Sequence, residues 1–378
     1  MHIVVAGGGY AGLACLIDLK KRAPRARLTL VDPADEHLKL THLHEALRVP
    51  RARFVQSFAA LGKRIGFEHV AASAGAPDTG VAAVAEWDAA GVLPLYRGAE
   101  QVEELGFDLL VMATGAGSAP LPADAAAVTL DRLRASEPGA MLGAALKAAP
   151  NSVFHATVVG GGANGVQFAF ALRDALRARR RKARLTLVEA GDVLLAGQPP
   201  RVGQYAREQL ARAGIEVRLD TAYRGPADDA LLLDTRGRQD EQRSDFTVLM
   251  PGMVPRPFAI EADRHGRVKL PSGTAERVFG AGDCARFDGR GLNALTAQAA
   301  VRKGRQVAQN VARVARGDSP LSYYFKELGY VVSLGSGDAA GWMLFRDNVL
   351  TGTPAVAIKH VVEAQYDLFV AGIDTYLV

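Results

Sequence analysis

Cysteine is almost missing from this chain, which has two, Cys15 and Cys284, in 378 residues. Two are too few for the disulfide framework of a secreted domain, and they lie too far apart for a Cys-x-x-Cys redox pair. A reducing cytoplasm is the expected compartment. No run of 18 apolar residues is present, so no membrane-spanning helix is expected, and any membrane contact would be peripheral, on the cytoplasmic face. The first apolar strand begins at once, which leaves no room for the charged leader and apolar core of a signal peptide. Three histidines, His37, His42 and His44, crowd one segment. No Cys or carboxylate set completes a tetrahedral site at a recognised spacing, so no metal is expected there. Loop or core packing is the default role for these histidines, with proton supply as the functional alternative. The net charge is only +5. Much of it falls in the run Arg177 to Arg184, where cations at a helix end favour the negative pole of the dipole. Nothing like a nucleic-acid module accompanies that run, so neither DNA nor RNA is an expected partner.

What is present is ordinary globular material, 49% hydrophobic and 22% charged, enough for two or three domains. Its most informative feature is a pair of glycine-rich turns, each launched from an apolar strand. The first runs Ile3-Val4-Val5-Ala6 into Gly7-Gly8-Gly9-Tyr10-Ala11-Gly12, and the second runs Thr157-Val158-Val159 into Gly160-Gly161-Gly162-Ala163-Asn164-Gly165. Both read GxGxxG. The first glycine permits a tight turn, the second lets backbone approach a pyrophosphate, and the third allows a helix to pack closely on its strand. Each turn is followed by a second strand ending in an acid, Asp32 or Glu189, at a distance suited to accepting hydrogen bonds from a ribose. Two dinucleotides are therefore expected. An acid rather than an arginine at the second site favours NADH over NADPH.

The strand Phe107 to Met112 ends in Ala113-Thr114-Gly115, a small-residue turn of the kind that closes on a cofactor. Residues 70–106 read as an antiparallel excursion, and a helix is expected over Arg201 to Ala213. Phe246 to Met250 repeats the strand-then-glycine ending, as though the second unit copied the first. A third strand ends in Gly280-Ala281-Gly282-Asp283, ahead of a helix expected from about Ala294 to Ala315. The fold class is α/β, with two Rossmann-like dinucleotide-binding domains and a small C-terminal α+β domain. The expected boundaries are 1–115 with 241–320 for the first domain, 116–240 for the second and 321–378 for the last. The final segment from Val356 carries an apolar face at helical spacing, suited to core packing, a homodimer contact or a membrane surface.

The order of these motifs resembles the two-dinucleotide-domain flavoproteins of the pyridine nucleotide oxidoreductase superfamily. Glu189-Ala190-Gly191, Ala297-Gln298-Ala299, and Leu328-Gly329-Tyr330 through Ser333-Leu334-Gly335 are most similar to type II NADH dehydrogenases. The resemblance implies FAD held by Gly7, Gly9, Tyr10, Ala11, Gly12, Asp32, Thr114, Gly115, Gly282 and Asp283, with NADH held by Gly160, Gly162, Gly165 and Glu189. It also implies hydride transfer from NADH to FAD and onward electron transfer to a quinone-like acceptor. Two positions depart from the family pattern. Gln167 stands where a glutamate usually lies near the nicotinamide, and Arg302 stands at the second glutamine of the Ala-Gln-x-x-x-Gln pattern that Gln298 opens. Gln167, Gln298 and Arg302 are thus the candidate catalytic residues, with Gln167 on the nicotinamide side and Arg302 as a cation for an anionic acceptor. A reductase of a small electron-carrier protein, or a non-catalytic NADH-sensing flavoprotein, is the alternative. With no cysteine pair, disulfide-reductase and sulfide-oxidising chemistry are disfavoured.

Overall fold

Two sheets with parallel cores organise the computed structural model, which describes residues 1–376 apart from 77, 123, 125, 150–152, 229 and 290–292. In the larger sheet His2–Ala6 lies between Arg27–Val31 and Leu109–Met112, parallel to both, with Glu68–Val70 and Gly273–Gly280 next outward. Ile260–Ala262, Arg267–Leu270 and Ala285–Phe287 extend it on the Gly273–Gly280 side. In the smaller sheet Phe154–Val159 takes the central place, flanked in parallel by Ala183–Val188 and Phe246–Leu249, with Ile215–Arg218 and Val128–Thr129 at the edges. The central strands are near-continuous apolar runs because helices or loops cover both faces. Ile3, Val4, Val5 and Ala6 are fully buried, and Val158 and Leu187 nearly so.

The strand orders match. Centre, right neighbour and left neighbour follow one another in the chain in the same sequence in each sheet, as expected for an internal copy. Other expectations are met to within a few residues. Residues 70–106 hold the antiparallel strands Ser73–Ala74, Val92–Arg97 and Glu100–Gly106, and the helix expected at Arg201 to Ala213 spans Pro200–Arg212. The basic run begins at the end of the helix Ala163–Ala178, where Arg179 donates through Nη1 to the Ala175 carbonyl. The helix expected from Ala294 starts later, as Ala297–Val314, because Thr296 caps it by accepting from the Ala299 amide at 3.2 Å. Beyond residue 321 come the antiparallel strands Gly329–Ser333, Ala339–Met343 and Val349–Thr351, then the helix Thr353–Val370. Among the described residues, no helix is long and apolar enough to cross a membrane.

Candidate functional site

The two glycine turns are nearly identical in conformation. Gly7 and Gly160 adopt φ of +109° and +111°, a region that favours glycine. A Cβ on Gly7 would lie 2.3 Å from the Ala113 carbonyl oxygen, and one on Gly160 would lie 2.0 Å from that of Met250. Gly12 and Gly165 are tighter still, with an added Cβ at 1.8 Å from the Gly7 oxygen and 1.7 Å from the Gly160 oxygen. Those two glycines bring each helix down onto its own turn. Gly9 and Gly162 differ in kind, since nothing lies within 4 Å of a Cβ built on either. They cap the helices Tyr10–Arg22 and Ala163–Ala178 with no side-chain partner. No side chain caps either helix, which leaves the first amides to an anion.

The acids are matched as well. Asp32 accepts from the Gly8 amide at 2.6 Å and from the Ala34 amide at 2.8 Å. Glu189 accepts from the Gly161 amide at 2.5 Å and from the Gly191 amide at 2.7 Å. Each carboxylate thus ties the middle of its glycine turn to the end of the neighbouring strand, and each oxygen keeps a lone pair for a further donor. Burial pushes the Asp32 carboxyl above its usual range, against the pull of those two amides, His69 and Arg134.

A cleft of about 950 Å³ runs along the first turn. Gly7, Gly9, Tyr10, Ala11, Asp32, Thr114, Gly115 and Asp283 line it, and so does Gln167, on the first turns of the second glycine helix. Gly282 lies behind Asp283 with φ of +73° and room for no Cβ, which would meet that of Ala11 at 2.6 Å. Asp283 Oδ1 is buried and has no hydrogen-bond partner among the described residues. Burial raises its carboxyl to about 6, with Lys303 and Arg134 pulling it back down. A buried acceptor without a partner, on a residue that lines the cleft, fits a ligand hydroxyl. The cleft, the open helix N-terminus and the two carboxylates together fit a bound flavin dinucleotide.

Gln298 and Arg302 do not line this cleft. Their helix turns Ala297 and Ala300 towards it, and residues one and five positions after Ala297 project from another side. The Arg302 guanidinium carbon sits 5.7 Å from the Phe325 ring and 5.4 Å from the Tyr376 ring. Arg302 thus lies against two aromatic rings outside this cleft, on a side of its helix away from Ala297 and Ala300. Proton supply by His37 is corrected. Its Nδ1 faces the Gly8 carbonyl oxygen at 3.0 Å and its Nε2 faces the Tyr366 hydroxyl at 3.0 Å. The carbonyl only accepts, so Nδ1 carries the hydrogen and Nε2 accepts from Tyr366, leaving neither nitrogen for a substrate. Burial holds this ring neutral, with its pKa lowered to about 4. Lys39, two residues on, forms an ion pair with Asp367. His42 stacks on Phe54 and meets Glu45 at 2.9 Å. Those two with Glu363 place potential ligand atoms within 4.8 Å of one another, but Lys359 Nζ lies 2.6 Å from Glu363 Oε1 and supplies a cation there. Cys15 is fully buried in the core, and Cys284 is buried with Sγ 3.2 Å from the Ala281 carbonyl oxygen.

Two cations escaped the sequence reading. Arg134 lines the cleft, and its charge interacts with Asp32 and Asp283 together, although burial lowers its pKa. It lies on the short helix Leu130–Ala135, positioned by a bond to the Ala116 carbonyl at 3.2 Å. Lys303 is 2% exposed, and its Nζ donates to the Ala285 carbonyl at 2.5 Å. A signal for it existed: it is a lysine on the helical stripe Ala299, Lys303, Val307, which is otherwise apolar.

The family model for pyridine nucleotide-disulphide oxidoreductases matches residues 1–304, and the chain belongs to that family. A type II NADH:quinone oxidoreductase from Staphylococcus epidermidis is 25% identical over 396 residues, covering 96% of this chain and 94% of that protein. Among solved structures, NDH2 from Plasmodium falciparum in complex with NADH superposes with a TM-score of 0.76 at 15% identity, covering 99% of this chain and 97% of that one. The sulfide:quinone oxidoreductase of Aquifex aeolicus gives a TM-score of 0.76 at 17% identity, covering 99% and 91%. At these identities the two structures establish likeness of fold.

Proposed function

We propose that this chain is an FAD-dependent NADH oxidoreductase that delivers electrons to a quinone-like acceptor. The observation that carries the reading is the duplicated turn-and-acid geometry, one copy of which borders a cleft of dinucleotide size lined by Asp283, whose buried Oδ1 has no partner among the described residues. On this reading residues 1–115 and 241–320 form an FAD-binding domain, 116–240 an NADH-binding domain and 321–378 a C-terminal α+β unit. Full-length similarity to type II NADH:quinone oxidoreductases supports the acceptor class.

Bound FAD supplies the two-electron relay between nicotinamide and acceptor. The chain's own residues bind and orient. Amides after Gly9 face the FAD diphosphate, with Tyr10 and Ala11 in the first turn of that helix, and Arg134 adds a cation between the two acids. Asp32 accepts from the adenosine ribose, Asp283 accepts from the ribityl chain, and Thr114, Gly115 and Gly282 let backbone close on the cofactor. Gly160, Gly162 and Gly165 shape the equivalent NADH site, where Glu189 accepts from ribose hydroxyls. Gln167 reaches the shared cleft with an amide able to hold the nicotinamide carboxamide without carrying charge. Two buried, separate cysteines leave dithiol chemistry without a residue pair. On the helix Thr353–Val370 the exposed stripe Val361, Ala364 and Leu368 supports contact of this end with a membrane surface or a second copy. Denaturing the purified protein and identifying the released chromophore tests the cofactor. One FAD per chain is expected, and FMN or no flavin would contradict the proposal.

A further inference from the structure

The Gly282–Cys284 turn presents Asp283 to the cleft, and what holds that turn is a buried ammonium group. Lys303 Nζ lies 2.5 Å from the Ala285 carbonyl oxygen and 3.4 Å from that of Gly282, so it bridges the two ends of the turn. It also sits 5.2 Å from the centre of the Phe287 ring. A lysine seldom occupies a position only 2% exposed, because removing its charge from water is costly unless nearby groups compensate. Here two carbonyls, one ring face and the Asp283 charge supply that compensation.

We propose that Lys303 is a positioning residue for FAD: it clamps the turn from beneath and keeps Asp283 ionised, so that the carboxylate is ready to accept ribityl hydroxyls. The inference rests on the FAD reading above. Three groups set the local field. Lys303 approaches from the helix Ala297–Val314, Arg134 from the helix Leu130–Ala135, and the Cys284 thiol from the turn itself. The thiol is buried and its pKa is raised by that burial, so it stays neutral. Burial raises Asp283 to about 6 despite both cations, and burial lowers Lys303 to about 8 against the attraction of Asp283 and Cys284.

Those two values define a pH window. Below pH 6 Asp283 protonates in the parent protein, and above pH 8 Lys303 loses its charge. Between them the parent holds an ammonium–carboxylate pair. With that cation removed, the Asp283 carboxyl titrates at a higher pH. Binding FAD to the ionised carboxyl then carries the cost of releasing a proton, so the variant's affinity falls below the parent's from the window downwards in pH, and the difference closes as pH rises above the variant's Asp283 pKa.

The test is the FAD dissociation constant of apo-protein, followed by flavin fluorescence from pH 5 to pH 9 in the parent and in Lys303→Met. The expected loss of affinity is roughly tenfold near pH 6.5, shrinking to under about threefold at pH 9. A loss of equal size at every pH would mean a purely mechanical role for the side chain and would overturn the proposal, as would unchanged affinity throughout. If Lys303→Met does not fold by circular dichroism, Asp283→Asn replaces it. In that variant the fall in affinity between pH 7 and pH 5 should vanish, and a retained fall sinks the idea. Parent protein that binds no FAD at any pH would instead reject the FAD reading itself.

Discussion

Replacing Glu189 by Gln probes the second dinucleotide site without touching the first. The carboxylate spends one lone pair of each oxygen on the Gly161 and Gly191 amides, at 2.5 and 2.7 Å, leaving about one per oxygen for ribose hydroxyls. An amide offers a single oxygen and no charge. Gly161 is buried, so that oxygen is expected to stay with its amide, while the amide nitrogen turns towards Gly191, which is half-buried and open to water. One charge-assisted acceptor for the ribose is then lost, and hydrogen bonds of that kind contribute about 1.5–3 kcal/mol. The middle of that range is equivalent to a rise of about fortyfold in the dissociation constant for NADH. The assay is the concentration dependence of anaerobic flavin reduction, which separates binding from the chemical step. FAD content should be unchanged, and discrimination against NADPH should weaken because a negative charge near its 2′-phosphate is gone. A dissociation constant for NADH within threefold of the parent's, with FAD intact, would refute the assignment of Glu189.

Gly165→Ala should abolish flavin reduction by NADH while FAD stays bound, because the added methyl would lie 1.7 Å from the Gly160 carbonyl oxygen and push the helix off its turn; reduction at the parent rate would contradict the close-packing argument. Arg302→Gln should leave acceptor kinetics within about twofold while lowering thermal stability by about 1 kcal/mol or more, since the guanidinium stacks on Phe325 and Tyr376 rather than lining the cleft. Acid should destabilise the protein as pH falls from 6.5 towards 4. Burial lowers His37 and His44 to about 4, so over that interval the unfolded chain binds protons that the native one does not. The ceiling is about 3 kcal/mol for each histidine. Urea unfolding at pH 7 and pH 5 measures the loss, and equal stability at the two values would remove it.

The glycine turns, their acids and the strand endings were legible because each depends on local geometry. A glycine at φ near +110° and an acid closing the next strand leave marks at short, fixed spacings. The side chains that meet across the chain left weaker marks. His37 and Tyr366 are brought together by the packing of the C-terminal helix, and Arg134 reaches the cleft from a short helix between an edge strand and the central strand of the smaller sheet, which no period announces. Gln298 and Arg302 rest on motif order, and helical spacing places them on a side of their helix away from Ala297 and Ala300, which line the cleft. Lys303 was overlooked because a lysine reads as solvent-facing until its helical neighbours, Ala299 and Val307, are seen to be core.

The most direct measurement is anaerobic stopped-flow absorbance of the purified protein mixed first with NADH and then with a short-chain quinone. The account predicts rapid bleaching of the flavin band by NADH, slower bleaching by NADPH, and prompt recovery when quinone is added. A flavin that bleaches slowly with both nucleotides, or that bleaches readily but is not reoxidised by quinone, would contradict it.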